Sequence, residues 1–322
     1  MPRVSRDCCR CYGAVMDTQT RRSRMRRTRT GKRIELTDRD LDIFRLLARY
    51  RYLPSTYIHA FVGGASKTRF KERLGDLFHE GYLDRPARQW ELANCRHRPA
   101  IHELDTSATR ILNEQGLVEE SRTWLSPLPH RQFLHSLMVC ELLASIELGI
   151  RTTPGLRFIP WSEILAKAPQ ATRALPMPMS LRSTAQAGGV TPDGLFGIEY
   201  TGGEKRTYRF FALEADRGTM PVARSNPDQT SYLGKLAAYQ DIVSTQTYKP
   251  QLGIPNLLVL TLTTSERRLG EIMQRFAKPA SGTTAFLFKA HSESELMSPA
   301  RQLSSEPWHR CDMPPLRIDC QR

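Results

Sequence analysis

Residues 191–219 read TPDGLFGIEYTGGEKRTYRFFALEADRGT, and this stretch decides how the second half of the chain is organised. Two apolar runs flank the turn residues at 201–204, which predicts two antiparallel strands joined by a hairpin. Acids stand near the strand ends: Asp193 at the first strand, and Glu214 and Asp216 at the end of the second. Acids placed in this way in a basic chain suggest a functional site.

The three carboxylates are predicted to meet on one face of the sheet. Residues two apart in a strand share a face, so Glu214 and Asp216 point to one side, and the hairpin brings Asp193 beside them. Carboxylates this close repel one another unless a cation lies between them, and hard oxygen ligands suit Mg²⁺ or Mn²⁺. We therefore expect Asp193, Glu214 and Asp216 to hold Mg or Mn, which can polarise a phosphate and activate water. In the structural alternative, Asp193 and Asp216 cap turns, Glu214 pairs with Arg217, and no ion binds.

The flanking sequence alternates between helical and strand-like patterns. A helix is predicted over 131–148, before the hairpin. After it come a helix over 229–243, a buried strand at 257–262, a helix over 265–276 and a strand at 284–288. This order predicts a mixed sheet with helices packed on it.

Other kinds of site chemistry are less favoured by the sequence. Tyr239 lies on the apolar stripe of its helix, which favours a core aromatic over a nucleophile. His130 and His135 are five residues apart, which is not the spacing that joins two helical metal ligands, so His135 is read as a locally bonded helix residue. The Gly-Gly pairs read as turns and not as a phosphate loop, so we expect no nucleotide site.

Residues 34–120 show a different pattern, with three helices joined by tight turns. Thr37 and Asp40 resemble a capping box at the first helix, and the third helix runs from about residue 65 to residue 80. A winged helix-turn-helix with its wing in 82–104 is predicted, and double-stranded DNA is its expected partner; the alternative is a small helical bundle with solvated charges. The DNA contacts expected from the third helix and the wing are Thr68, Arg69, Lys71, Arg73, Arg85, Arg96 and Arg98.

Composition limits the class of protein. The chain has 322 residues and a formal net charge of +14. Eleven Arg or Lys and two Asp lie in residues 1–33, which predicts a disordered basic tail with affinity for nucleic acid. The spacing of the seven scattered cysteines is not that of a disulfide framework, which favours a reducing cytoplasm. The sequence contains no run of eighteen apolar residues, so no membrane span is predicted.

In the order and spacing of several segments, the chain resembles the replication-relaxation family of plasmids and other bacterial mobile elements. This resemblance implies an N-terminal winged helix followed by a restriction-endonuclease-like domain, with a role in plasmid replication or DNA relaxation. The segments that carry it are LTDRDLDIFRLLARYRYLPSTYI, RLGDLFHEGYLDR, HRQFLHSLMVCELLASIE, TPDGLF, FFALEADRGT and KLAAYQ.

The C-terminal part also resembles the PD-(D/E)xK nuclease core, whose two acids hold Mg²⁺ and whose lysine positions or activates water. Asp193 matches the first acid and Glu214 the second, but Asp216 stands where that motif has lysine. The resemblance implies that Lys235, from the following helix, supplies the missing lysine. It also implies that Glu141 matches an acid on the helix before the sheet.

The predicted architecture is therefore α+β: a winged helix-turn-helix followed by a restriction-endonuclease-like mixed α/β domain. Three functions stay open: a DNA-binding protein with a metal-dependent nickase or nuclease domain, a non-catalytic replication protein, and a transcriptional regulator whose second domain binds a partner or forms a homodimer. The expected division is a disordered tail over 1–33, a winged helix over 34–120, a nuclease-like domain over 121–295 that opens with a linker at 121–130, and an irregular tail over 296–322.

Overall fold

The computed structural model describes most of the chain from residue 22 onward. The predicted linker at 121–130 and the first 21 residues of the basic tail lie outside the described residues. The structure describes residues 22–320 except residues 65 and 93 and the segments 117–132, 185–188, 224–230, 277–282, 292–297 and 300–302.

Residues 22–116 form an N-terminal unit of four helices and a small sheet. Its three short strands lie in the order β1-β3-β2, with antiparallel pairing on both sides of β3. The elements are α1 (Asp38–Tyr50), β1 (Leu53–Pro54), α2 (Ser55–Val62), α3 (Lys67–His79), β2 (Leu83–Asp84), β3 (Ile101–Leu104) and α4 (Thr106–Glu114).

Helix α1 begins at the capping box that its sequence predicts. The Thr37 side chain accepts from the Asp40 backbone, and the Asp40 side chain accepts from the Thr37 backbone at 2.8 Å. These bonds satisfy N–H groups that the first helical turn leaves open. The apolar side of the helix, which includes Phe44 and Leu47, is buried against the rest of the unit.

Residues 22–33, which we call the arm, correct the prediction that the whole of 1–33 is disordered. The arm has irregular structure and lies against α3 and β2. The Thr28 backbone donates to His79 Nδ1 at 3.0 Å, and Arg27 forms an ion pair with Asp105 at 2.5 Å. The arm is held because its cations meet carboxylates on the N-terminal unit, which the sequence of the tail alone does not reveal.

The described residues between 133 and 320 form a C-terminal unit built on a mixed seven-stranded sheet. The strand order is β10-β9-β8-β7-β6-β5-β4; β6, β7 and β8 are parallel, and the remaining neighbours are antiparallel. The strands are β4 (Leu156–Ile159), β5 (Gly194–Tyr200), β6 (Thr207–Asp216), β7 (Leu258–Thr263), β8 (Phe286–Ala290), β9 (Trp308–Arg310) and β10 (Met313–Leu316). The helices are α5 (Phe133–Thr152), α6 (Trp161–Lys167), α7 (Gln170–Arg173), α8 (Tyr232–Thr245), α9 (Tyr248–Leu252) and α10 (Glu266–Phe276).

Helices cover both faces of this sheet, as its alternating residues require. On β6, Phe211 and Leu213 share a core with α5 and the N-terminal unit, whereas Ala212 shares a second core with α8 and α10. The mixed α+β architecture predicted from the sequence is therefore confirmed at this level. The period of two therefore assigns successive apolar residues of β6 to one core or the other.

Helix α5 joins the two units. Its Glu147 is almost fully buried and forms ion pairs with Arg49 of α1 at 2.5 Å and with Arg151 at 2.7 Å, and Tyr50 also donates to it. One apolar cluster runs from the N-terminal unit through α5 to the sheet. By length and hydropathy α5 could span a membrane, but 89% of its most apolar window is buried inside the protein, so its apolar residues serve this core.

The C-terminal residues correct the prediction of an irregular tail over 296–322. Strands β9 and β10 extend the sheet, and Trp308 is fully buried. Tyr200 donates to the carbonyl of Ile318 at 2.5 Å, which ties this segment to β5. A few large side chains hold it to the core, and because they are widely spaced they produce no periodic signal.

Candidate functional site

The hairpin places Asp193 next to the second acidic strand. Gly194 is paired with Leu213, the Asp193 backbone donates to the Leu213 carbonyl at 2.9 Å, and the Ala215 backbone donates to Asp193 Oδ2 at 2.9 Å. The Asp193 side chain is therefore fixed beside Glu214, and the two carboxylates interact electrostatically.

Glu214 is the buried centre of the site. Its side chain is 1% exposed, Lys235 Nζ pairs with its Oε2, and Tyr239 donates to its Oε1 at 2.5 Å. Both partners lie one turn apart on α8, which packs over this face of the sheet. Lys235 thus lies where the sequence resemblance implies a lysine from the neighbouring helix.

His135 completes the cluster from the opposite side. Its Nε2 lies 3.1 Å from Asp193 Oδ1, so α5 contributes an imidazole to a site whose acids lie just before β5 and near the end of β6. Sequence reasoning missed both His135 and Tyr239 as members of the site. A helix-face histidine and an apolar-stripe tyrosine gave no signal that distinguished them from core residues.

The pKa values of the cluster are set by two opposing effects: burial, which disfavours charged forms, and pairing with opposite charges, which favours them. Burial raises the pKa of Glu214 to about 8, an effect that Lys235 opposes and the Asp193 charge reinforces. Burial also disfavours the ionised form of Asp193, but Lys235 and His135 outweigh it and lower the pKa of that carboxyl. The pKa of Lys235 and that of His135 are raised, because the nearby carboxylates outweigh the cost of burying a cation.

Asp216 shares the Glu214 face of β6 but has different partners. Arg268 of α10 donates to both of its oxygens, at 2.7 and 3.3 Å, and the Gly218 backbone donates at 3.0 Å. Two residues along a strand span about 6.6 Å, which is enough for α10 to reach Asp216 while α8 reaches Glu214. Among the described residues, no group of three or more His, Cys, Asp or Glu could hold a metal ion.

Glu141 lies outside the cluster, which corrects its assignment to the catalytic set. It is buried on α5 and faces α2, where burial and the Glu141 charge together raise the pKa of Tyr57. Helical periodicity explains this: six residues after His135, the α5 side chains point about 120° away from the side that meets Asp193.

The residues predicted to contact DNA fall into two groups. Thr68, Arg69 and Lys71 are exposed on α3, but Arg73 is not free to face DNA because its Nε donates to Asp40 at 3.0 Å. The remaining residues lie around a cleft of about 530 Å³ between α3, the arm and the β2–β3 connection. Its cationic lining comprises Arg22, Arg24, Lys71, Arg85, Arg96 and Arg98.

A family model described as replication-relaxation matches residues 44–258 of the chain. The chain belongs to the replication-relaxation family. The region matched by the replication-relaxation model begins inside α1 and ends at the start of β7, so it contains His135, Asp193, Glu214 and Lys235. No curated protein and no solved structure gives a significant match to the chain. Membership suggests a role in the replication or relaxation of a plasmid or mobile element.

Proposed function

We propose that the chain binds double-stranded DNA through its N-terminal unit and acts in replication or relaxation of a plasmid or mobile element. We assign this unit as a winged helix-turn-helix, with α3 as the recognition helix and the β2–β3 connection as the wing. The succession of three helices, with a small antiparallel sheet whose last two strands follow α3, supports this assignment.

The observation that carries the proposal is the charge around α3. Its first half exposes Lys67, Arg69 and Lys71 to solvent, and the adjacent cleft collects further arginines from the arm and the wing. Cations spread over the solvent-exposed part of the helix and the adjacent cleft release condensed counterions when they meet DNA phosphates, which favours association. A helix that also exposes Thr68 beside Arg69 can place side chains against base edges.

The test is a binding measurement on duplex DNA that contains the origin region of the host element. Arg69→Ala should weaken binding to the cognate site by about 1–3 kcal/mol if Arg69 reads a base. The control Arg45→Ala removes the same charge from the exposed side of α1, where Arg45 pairs with Asp42, and should change binding little. A wild-type chain that binds no duplex at low salt would refute the proposal.

The Asp193–Glu214 arrangement supports a second activity, metal-dependent DNA nicking by a restriction-endonuclease-like C-terminal unit. Two carboxylates, completed by water and substrate phosphate, are a donor set that suits Mg²⁺ or Mn²⁺. The ion would neutralise phosphate charge and acidify a bound water. Lys235 would have to release Glu214 Oε2 to expose this donor, and it would then lie close enough to orient the attacking water.

A supercoiled-plasmid assay with Mg²⁺ or Mn²⁺ tests this activity. Wild-type protein should produce nicked circles, and Asp193→Asn and Glu214→Gln should abolish them while they retain DNA binding. Glu163→Gln is the matched control, because Glu163 is a carboxylate on α6 that pairs with Arg157 outside the site. Equal nicking by all four proteins, or none by the wild type, would refute the nicking activity. The chain would then be a DNA-binding regulator with a nuclease-like fold and no nuclease activity.

A further inference from the structure

The arm and the wing hold each other in place. Arg24 Nη1 donates to the carbonyl of Arg96 at 2.7 Å, and its second terminal nitrogen donates to the carbonyl of Arg98. In return, Arg85 Nη1 donates to the carbonyl of Arg24 at 2.8 Å, and the Arg24 guanidinium lies 5.4 Å from the centre of the Trp90 ring. A single arm residue therefore fixes the wing backbone on either side of residue 97.

The arm also changes the charge of the surface on which it lies. Asp76 lies in the second half of α3 and Glu80 directly follows the helix, and by themselves both acids would repel a DNA phosphate. Arg22 and Lys32 pair with Asp76 at 2.5 and 3.1 Å, and the Thr30 backbone donates to Glu80 at 3.0 Å. With the arm docked, this part of the surface no longer opposes an approaching polyanion.

The cleft between the arm and the wing carries an excess of positive charge: six Arg or Lys side chains line it, of which Arg22 pairs with Asp76. Glu72 is the acid among the described lining residues. Arg85 Nε and His102 Nδ1 are buried without a hydrogen-bond partner among the described residues, and His102 is 1% exposed. Burial and repulsion from Arg24 and Arg22 lower the pKa of Arg85 to about 10. A buried guanidinium N–H such as that of Arg85 Nε, and crowded cations around it, are stabilised by a bound anion.

We propose that this cleft is a phosphate-binding site built jointly by the arm, α3 and the wing, and occupied by a backbone phosphate of the bound duplex. The inference rests on the proposed DNA binding and adds a specific site to it. Arg96 and Arg98 favour a phosphate, because a planar guanidinium fork matches its oxygens with two parallel bonds, and Arg22, Arg24 and Arg85 add positive charge around it. The site is complete only when the arm is docked, because Arg22 and Arg24 form one of its walls.

A matched pair of arm variants tests the site. Arg24→Met and Arg26→Met each remove one positive charge from the arm, but the Arg26 side chain is exposed and does not line the cleft. Affinity for a short duplex is measured by fluorescence anisotropy over a salt series. Arg24→Met should bind about tenfold more weakly than wild type, because it removes a cation from the cleft and the two hydrogen bonds that hold the wing, and Arg26→Met within about twofold of it.

A second pair of variants tests the cleft in case Arg24→Met disturbs folding. Arg96 is exposed and lines the cleft, whereas Arg88 is exposed on the same connection and does not line it. Arg96→Met should weaken binding more than Arg88→Met while both keep the wild-type melting temperature. Inorganic phosphate should also displace the duplex from wild type more strongly than chloride at equal ionic strength, and this difference should vanish in Arg24→Met.

The outcomes separate the site from DNA binding as such. If the wild type binds the duplex and both members of each pair weaken it equally, the cleft site is refuted and DNA binding stands. The cleft site is also refuted if phosphate and chloride compete equally with the duplex for wild-type protein. If the wild type binds no duplex at all, the proposed function itself fails.

Discussion

His135 Nε2 lies 3.1 Å from Asp193 Oδ1, and this contact joins helix α5 to the first strand of the acidic hairpin. The two residues are 58 positions apart in the sequence. The same α5 carries Glu147, which fixes the N-terminal unit. One helix therefore positions both the carboxylate cluster and the proposed DNA-binding unit.

The His135–Asp193 pair should make stability depend on pH. The raised pKa of His135 means that its contribution is full below the unfolded value of about 6.5 and is lost as pH rises through the folded value. His135→Gln keeps a neutral amide donor, so it should be less stable than wild type by about 1 kcal/mol near pH 5.5 and equally stable near pH 9. Urea unfolding at the two pH values measures the difference, and a loss independent of pH would contradict a charged pair.

Removal of Lys235 should destabilise the fold, because Glu214 is then buried without its cation. Lys235→Met should lower the free energy of unfolding by about 3 kcal/mol near pH 9, where Glu214 is ionised. The pKa of Glu214 is already raised to about 8 by burial, so the loss should shrink at lower pH, where the carboxyl takes up a proton. The double variant Lys235→Met/Glu214→Gln should recover part of the stability in chemical denaturation. A double variant no more stable than the single one would show that packing, and not charge, causes the loss.

Arg73 and Arg69 should behave differently although both are arginines of α3. Arg73 donates to Asp40 and to the carbonyl of Glu35, and ionised Asp40 is buried, so Arg73→Ala should cost about 2–3 kcal/mol of stability. Arg69 is exposed, so Arg69→Ala should leave the melting temperature unchanged and weaken DNA binding. Thermal melts and binding measurements on the two variants test this difference. If only Arg69→Ala lowered the melting temperature, Arg69 and not Arg73 would be the arginine that stabilises the fold.

Glu147 should be essential to the contact between the units. It is buried, and Arg49, Arg151 and Tyr50 all converge on it. Glu147→Gln should lower the free energy of unfolding by about 2–4 kcal/mol, because it leaves the partly buried Arg49 guanidinium and the buried Tyr50 phenol with a weaker acceptor. Arg151→Ala is the control; its side chain is half exposed, so its loss should cost about 1 kcal/mol or less. If denaturant unfolding gave equal losses of free energy for Glu147→Gln and Arg151→Ala, the Glu147 carboxylate would not have a central role.

Deletion of the arm should destabilise the N-terminal unit. Loss of residues 1–33 removes the Arg27–Asp105 pair and the hydrogen bond to His79, whereas deletion of residues 1–21 leaves these contacts intact. The longer deletion should lower the melting temperature by several degrees, as expected for a loss of about 1–2 kcal/mol. The shorter deletion is the control in differential scanning calorimetry, and identical melts for the two would show that the arm adds no stability.

The sequence by itself determined the local parts of this protein. The capping box of Thr37 and Asp40 follows from residues three positions apart. The hairpin that brings Asp193 beside Glu214 follows from a period of two and a short turn, and the helical stripes fixed which faces are buried. These features depend on neighbours within a few residues, so their physical causes can be read from a short window.

Only the tertiary structure decided which charged side chains form pairs. Arg73 was expected to face DNA but pairs with Asp40, and Asp216 was grouped with the other acids but pairs with Arg268 across 52 residues of sequence. Glu141 was expected in the site but faces α2, and His135 was not expected there but contacts Asp193. The physical reason is that the cost of burying a charge is offset only by a partner within a few ångströms. That partner is set by how distant elements pack, which no short window of sequence contains.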